Sequence, residues 1–251
     1  MLSSKKILVP NNLINLAKKT SFISAGIVCA HHTATMQSAK QAYELNLINP
    51  IFIGKKNLII EEAEKLNWDI NKFVIINKNS DQDAAMEGII LAKENKIHVL
   101  IKGNIHTDIL MRIYLKKDFG LIQGKRLSHI WHMSLQKDDK PLFITDGALN
   151  VAPRIDVKMH ILKNAVDFAN KIGISRPKVS VLSATEEIIN SVPSSIEANL
   201  ITKKAKEENI NADVFGPLAF DNSVSKKSAA IKKIKNEVAG NTDILLVPNV
   251  E

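Results

Sequence analysis

Leu142-Phe-Ile-Thr-Asp-Gly-Ala-Leu-Asn-Val-Ala-Pro153, with the run from Ile155 to Ile172 behind it, decides the fold class. The opening residues form a short apolar run of β character. The stretch after them is rich in turn formers. Ile161, Ala165, Phe168 and Ile172 then follow 4-3-4 spacing, which gathers them on one face of a helix, and Gly173 supplies the stop. A helix with one apolar face needs a sheet to cover. The same alternation runs from end to end, with predicted strands at Ala25 to Cys29, Pro50 to Ile53, Phe73 to Ile76, His98 to Ile101, His129 to Met133, Leu142 to Thr145, Lys178 to Leu182, Ala212 to Phe215 and Asp243 to Val247. Repeated βα units feed a largely parallel sheet, so the fold class is α/β.

Two lobes are expected, because the short polar stretch from Gln136 to Lys140 precedes Pro141 and separates two series of βα units. The expected domains are residues 1–137 and 138–251, with a ligand cleft between them. Pro193-Ser194-Ser195-Ile196-Glu197 opens a helix at which Ser194 and Glu197 have capping-box spacing.

At 251 residues and 45% hydrophobic content, the chain can bury a sizeable core without staples. Its single cysteine, Cys29, excludes an internal disulfide and a cysteine-built metal cage. No segment approaches a signal-peptide core or a membrane-spanning length, so a soluble, cytoplasmic protein is expected. A formal net charge of +8 favours anionic partners. Nucleic acid is disfavoured among them, since only 5% of residues are aromatic and the lysines are spread along the chain. The denser groups, Lys203-Lys204 with Lys206 and Lys226-Lys227 with Lys232-Lys233-Lys235, read as solvated faces of amphipathic helical segments.

Ligands of open α/β sheets collect beyond the carboxyl ends of strands, and polar residues concentrate there in this sequence. Lys102 and Gly103 at a strand end, followed by His106 and Thr107 at a helix start, offer a cation, bare backbone and helix N-terminal N–H groups to a phosphate. The glycine spacing of a Walker loop is absent, and an ordinary strand-to-helix turn is the competing reading. Asp146 and Asn150 can orient a ligand or each other across their turn, or bond their own backbone. Arg126, within Lys125-Arg-Leu-Ser-His129, can grip a phosphate bidentately or stand exposed. No metal centre is expected, because His31 and His32, and likewise His129 and His132, point oppositely on extended backbone. No Gly-x-Ser-x-Gly turn supports a serine hydrolase.

Taken in order, Leu100-Ile-Lys-Gly-Asn-Ile-His-Thr-Asp108, Arg126-Leu-Ser-His129, Ile144-Thr-Asp-Gly-Ala-Leu-Asn-Val-Ala-Pro153, Gly216-Pro-Leu-Ala-Phe-Asp-Asn222 and Val238-Ala-Gly240 with Asp243-Ile-Leu-Leu-Val-Pro248 resemble the motif series of the phosphate acetyl/butyryltransferases. The resemblance is closest to butyryltransferases and to the transferase half of bifunctional enoyl-CoA hydratase/phosphate acetyltransferase proteins. It implies two α/β/α lobes like those of the isocitrate and isopropylmalate dehydrogenases, with coenzyme A in the interdomain cleft and a homodimer as the assembly. The implied reaction is acyl-CoA + phosphate ⇌ acyl phosphate + CoA, with CoA as substrate and no permanently bound cofactor. The implied cleft residues are Lys102, Gly103, His106, Thr107, Arg126, Ser128, Asp146 and Asn150. The family's Ser-Arg pair and its aspartate, which assist the thiol attack, are expected beyond the position of Glu251, so no catalytic residue is assigned. Without that segment, part of the first sheet and its apolar helix faces should lie uncovered. The alternative function is a catalytically incomplete CoA-binding or assembly protein of the same family. A nicotinamide-dependent dehydrogenase is disfavoured by the lack of a metal-carboxylate cluster for a hydroxy acid.

Overall fold

The computed structural model describes residues 9–122, 124–134 and 140–250. The chain divides into two compact units, one from Asn11 to Gly124 and the other from Lys125 onward. The boundary expected between Gln136 and Lys140 falls mainly on residues 135–139, outside the described ones.

In the N-terminal unit, β1 (Ile23–Val28), β2 (Ile48–Gly54), β3 (Val74–Asn77) and β4 (Val99–Lys102) form an all-parallel sheet in the order β3-β2-β1-β4. Strand alternation sorts its core into two faces. Ile27 and Phe52 pack with Met36 and Ile59, from α2 (Thr33–Glu44) and α3 (Lys56–Lys65). Val28 and Ile53 pack with Ala85 and Ile89 of α4 (Asp81–Lys93) and Leu110 and Ile113 of α5 (Thr107–Tyr114). Ser80 accepts a hydrogen bond from the Asp83 N–H and so caps α4. The short helix α1 (Asn11–Ala17) buries none of its residues. The two edge strands are β3 and β4, with Val74 and Val99 exposed on them.

The chain runs from β1 through β2 to β3 on one side, then returns through α4 to place β4 against the other side of β1. The sheet's topological switch point therefore lies between β1 and β4, where Cys29 and Lys102 to His106 emerge.

The C-terminal unit holds β5 (Trp131–Ser134), β6 (Pro141–Thr145), β7 (Lys178–Leu182), β8 (Asp213–Leu218) and β9 (Ile244–Leu246), in the order β5-β6-β9-β7-β8. Only β5 is antiparallel. One face carries α6 (Ile155–Lys171) and α7 (Pro193–Glu207), whose Ile161, Leu162, Ala165, Ala198 and Ile201 close over Phe143, Val179, Val181, Ile244 and Leu246. On the other face Ser180 shares a 2.6 Å hydrogen bond with Ser223 of α8 (Phe220–Val224), and α9 (Lys226–Ile231) follows.

All nine expected strands are present within a few residues of their expected ends. Two local expectations fail. Ser194 and Glu197 form no capping box, because Val192 takes the N-cap position and Pro193 starts the helix. Ser194 instead shares a hydrogen bond with Ser183, and Glu197 pairs with the buried Lys158. The helix expected to carry Lys226 through Lys235 ends at Ile231. Lys233 sits in left-handed backbone at φ 55°, which stops it.

Candidate functional site

The expected site residues fall into two groups, one at the carboxyl edge of each sheet. In the N-terminal unit Gly103 has a steric reason to be glycine. Its N–H donates to the Val28 carbonyl at 2.8 Å, and the Asn104 N–H donates to the Cys29 carbonyl at 2.8 Å. A Cβ at this position would stand 2.3 Å from the Cys29 oxygen and 2.5 Å from the Val28 oxygen. The chain thus crosses the end of β1 at a separation that only glycine permits.

This crossing turns the segment into α5. His106 is the N-cap, and its side chain does not cap, so the first-turn N–H groups of α5 are left open to an acceptor. Lys102, His106 and Thr107 are exposed, and Lys102 has no acidic partner among the described residues. Asp108 is not the cap; it pairs along the helix with Arg112 at 3.2 Å.

Cys29 lies beneath this turn, and its thiol faces Asp81 at 3.6 Å. Burial, reinforced by the Asp81 carboxylate, pushes the thiol up to about 12. It is therefore a protonated donor to Asp81 rather than a nucleophile at neutral pH.

In the C-terminal unit, Arg126, Ser128, Asp146 and Asn150 are brought together. Asp146 is buried after β6, and its Oδ1 accepts from the Ala148 N–H at 3.2 Å and the Leu149 N–H at 2.9 Å. Its Oδ2 accepts from Asn150 Nδ2 at 2.6 Å. Asn150 Nδ2 also donates to the Leu127 carbonyl at 3.0 Å, so the turn after β6 grips the segment that carries Arg126 and Ser128. Both sequence readings of this pair are realised: Asp146 bonds its own turn, and the two side chains orient each other.

The irregular segment 124–130 is fastened from a second side. Asn164 of α6 donates through Nδ2 to the Arg126 carbonyl at 2.7 Å and to Ser128 Oγ at 2.9 Å. Lys125 meets Asp167 at 3.2 Å, and Thr145 Oγ1 donates to the His129 carbonyl at 2.7 Å. The Arg126 side chain itself is exposed and has no carboxylate partner among the described residues. Beyond Leu246 the chain returns along this turn, with the Val250 N–H donating to the Val151 carbonyl at 3.2 Å.

Two further groups at this edge have partners that the sequence does not disclose, although Glu186 falls in the polar stretch Ser183-Ala-Thr-Glu186 expected beyond a strand end. Lys158 of α6 is buried and pairs with Glu197 of α7. Glu186, after β7, accepts from Asn222 Nδ2, from the Ala219 N–H at 3.3 Å and from Lys232 at 3.1 Å. Burial pushes the Glu186 carboxyl up, but these donors outweigh it and hold the group below its usual range. Neither pairing shows a sequence signature, since each depends on residues tens of positions apart.

Residues 78–251 match the family described as phosphate acetyl/butaryl transferase. The chain belongs to the phosphate acetyl/butyryltransferase family. It is 36% identical over 219 residues to the phosphate acetyltransferase of Rickettsia felis, covering 86% of this chain and 63% of that protein. It thus spans less than two thirds of that relative's length. To the phosphate butyryltransferase of Clostridium acetobutylicum it is 32% identical, over 96% of this chain and 80% of that protein. Among solved structures, a branched-chain phosphotransacylase from Enterococcus faecalis V583 superposes with a TM-score of 0.80 at 27% identity, covering 91% of this chain and 80% of that one. No helix among the described residues is long and apolar enough to cross a membrane.

Proposed function

We propose that this chain exchanges an acyl group between coenzyme A and inorganic phosphate, acyl-CoA + phosphate giving acyl phosphate + CoA. The observation that carries this reading is the identity to proteins named for the two versions of the reaction, at 36% for the acetyl and 32% for the butyryl relative. Physical chemistry supports it. Both substrates are polyanions, and the exchange develops negative charge on sulfur and on the carbonyl oxygen, so cations and N–H donors are needed where the two meet. Lys102 and Arg126, exposed and unopposed by carboxylates among the described residues, are the groups suited to phosphoryl oxygens.

In this reading Lys102, the Gly103 backbone, His106 and Thr107 receive one anionic group beside the N-terminus of α5. Arg126 and Ser128 receive another. Asp146 and Asn150 hold the Arg126 segment in place at the margin of the site. CoA is released as the acyl group passes to phosphate and taken up in the reverse direction, and the protein works as a cytoplasmic homodimer.

The test is phosphate-dependent release of CoA thiol from acetyl-CoA and from butyryl-CoA, run beside calorimetric titration with CoA. Phosphate-dependent release supports the proposal. Saturable CoA binding without release favours the second reading, a CoA-binding protein of the same family. A chain that neither binds CoA nor releases thiol refutes both.

A further inference from the structure

We infer that Asn164 is a positioning residue that pre-forms a phosphoryl-receiving turn at Arg126 to Ser128 and makes the Ser128 hydroxyl a donor toward the incoming oxyanion. The inference rests on the acyl-exchange reading and names a residue on which that reading does not depend.

Asn164 sits on α6 among Ile161, Leu162, Ala165 and Val166, which all face the core. Its own side chain lies at the margin of that face, half-buried, and does not serve the core. The Arg126 carbonyl can only accept, so the amide's nitrogen must be the atom turned toward the segment. Both of its N–H groups are then engaged, one at 2.7 Å to that carbonyl and one at 2.9 Å to Ser128 Oγ.

Two consequences follow. Ser128 Oγ already accepts a hydrogen bond from Asn164, so its own proton points elsewhere and is available to an anion. The backbone on either side of Leu127 is also fixed, with Asn150 holding the Leu127 carbonyl from the β6 turn. Residues 124–130 have no regular secondary structure, and a segment of that kind pays an ordering cost each time it binds. The Asn164 anchor meets that cost in advance. The result is an exposed guanidinium next to an oriented hydroxyl on a held backbone, a combination suited to the bidentate geometry of a phosphoryl group.

Inorganic phosphate and the phosphates of CoA share this chemistry. The experiment is calorimetric titration of the full 251-residue protein with inorganic phosphate, with CoA and with dephospho-CoA, using wild type, Asn164→Ala, Asn164→Gln and Arg126→Ala. Loss of this anchor should weaken binding about five- to tenfold, at the low end of what its two hydrogen bonds are worth. Alanine is a better helix former than asparagine and offsets part of the lost stability, so the melting temperature should fall by no more than a few degrees. Gln keeps an amide but displaces its nitrogen by a methylene, and it should show the same loss. A loss confined to inorganic phosphate assigns the turn to that substrate. A loss with CoA and not dephospho-CoA assigns it to the 3′-phosphate, and a loss with both assigns it to the pyrophosphate. In a second arm, Ser128→Ala combined with Asn164→Ala should weaken binding by less than the sum of the single losses, because one acts through the other. If whichever Asn164 variant melts within a few degrees of wild type also keeps wild-type affinity for all three ligands, while Arg126→Ala loses affinity, the inference is overturned and the exchange reading stands. If wild type binds none of the three, the exchange reading itself fails and this inference falls with it.

Discussion

Removing one side of the Lys158 to Glu197 pair should not be equivalent to removing the other. The Lys158 side chain is 5% exposed and that of Glu197 is 35% exposed. Lys158 also lies close to the N-terminus of α6, where the helix dipole opposes a cation. Glu197→Ala therefore strands a buried ammonium beside the wrong end of a helix, and breaking a buried pair in this way costs about 3 kcal/mol. Lys158→Met replaces the ammonium with an apolar chain of similar length that fits the surrounding core. It leaves a carboxylate that water can reach, so its cost should be about 1 kcal/mol or less. The difference of about 2 kcal/mol corresponds to roughly a thirtyfold change in the opening equilibrium. Native-state hydrogen exchange over the α6 and α7 amides measures that opening within the C-terminal unit, independently of the other unit. Equal losses in the two variants, or a larger loss for Lys158→Met, would refute the argument from unequal exposure.

Gly103→Ala should destabilise the N-terminal unit by about 2 kcal/mol, because the new methyl meets the backbone oxygens of Cys29 and Val28 and neither can move aside cheaply; a wild-type urea midpoint would remove the close approach as the reason for this glycine. Cys29 should stay protonated in the folded protein, with thiolate absorbance appearing only near pH 12. Its folded value lies above its unfolded one, so the native state holds the proton longer; this contribution to stability is intact below about pH 9 and is lost as pH rises toward 12, and Cys29→Ser should make the alkaline decline shallower. Lys102→Ala should weaken CoA or phosphate binding about three- to tenfold and reduce its salt dependence. Unchanged affinity in a calorimetric titration would remove Lys102 from the site.

Most strands were legible because they are short runs of β-branched and apolar residues bounded by turn formers, and in β1, β2, β7 and β9 that pattern reports burial on both faces of a parallel sheet. Ile161 and Ala165 likewise announced the buried stripe of α6. Phe168, at the same spacing, is 39% exposed, although its ring meets that of Phe143 in the sheet. The capping-box pattern at Ser194 and Glu197 misled, since a local rule cannot foresee that a lysine 39 positions away will claim the glutamate. Gly103 was legible as a glycine at a strand end, but the need for it lies in the β1 backbone, which is far off in sequence. Asn164 gave no signal at all. An asparagine within an amphipathic helix reads as a solvated position, and only the path of residues 124–130 over α6 turns it into a donor with two acceptors.

In the C-terminal sheet, β9 is the last strand in sequence yet lies between β6 and β7. Until residues 244–246 arrive, β6 and β7 have no strand to join them, so from the completion of β7 until β9 is made a nascent chain carries two unpaired parallel edges. The sheet cannot be assembled in the order in which it is made. Its closure waits for contacts of long sequence separation, the slow class of folding event. A synthesis pause or a nonsense mutation just ahead of Ile244 would thus leave a gap in the middle of the sheet instead of a shortened end, and chaperones that shield strand edges would be needed most at that moment.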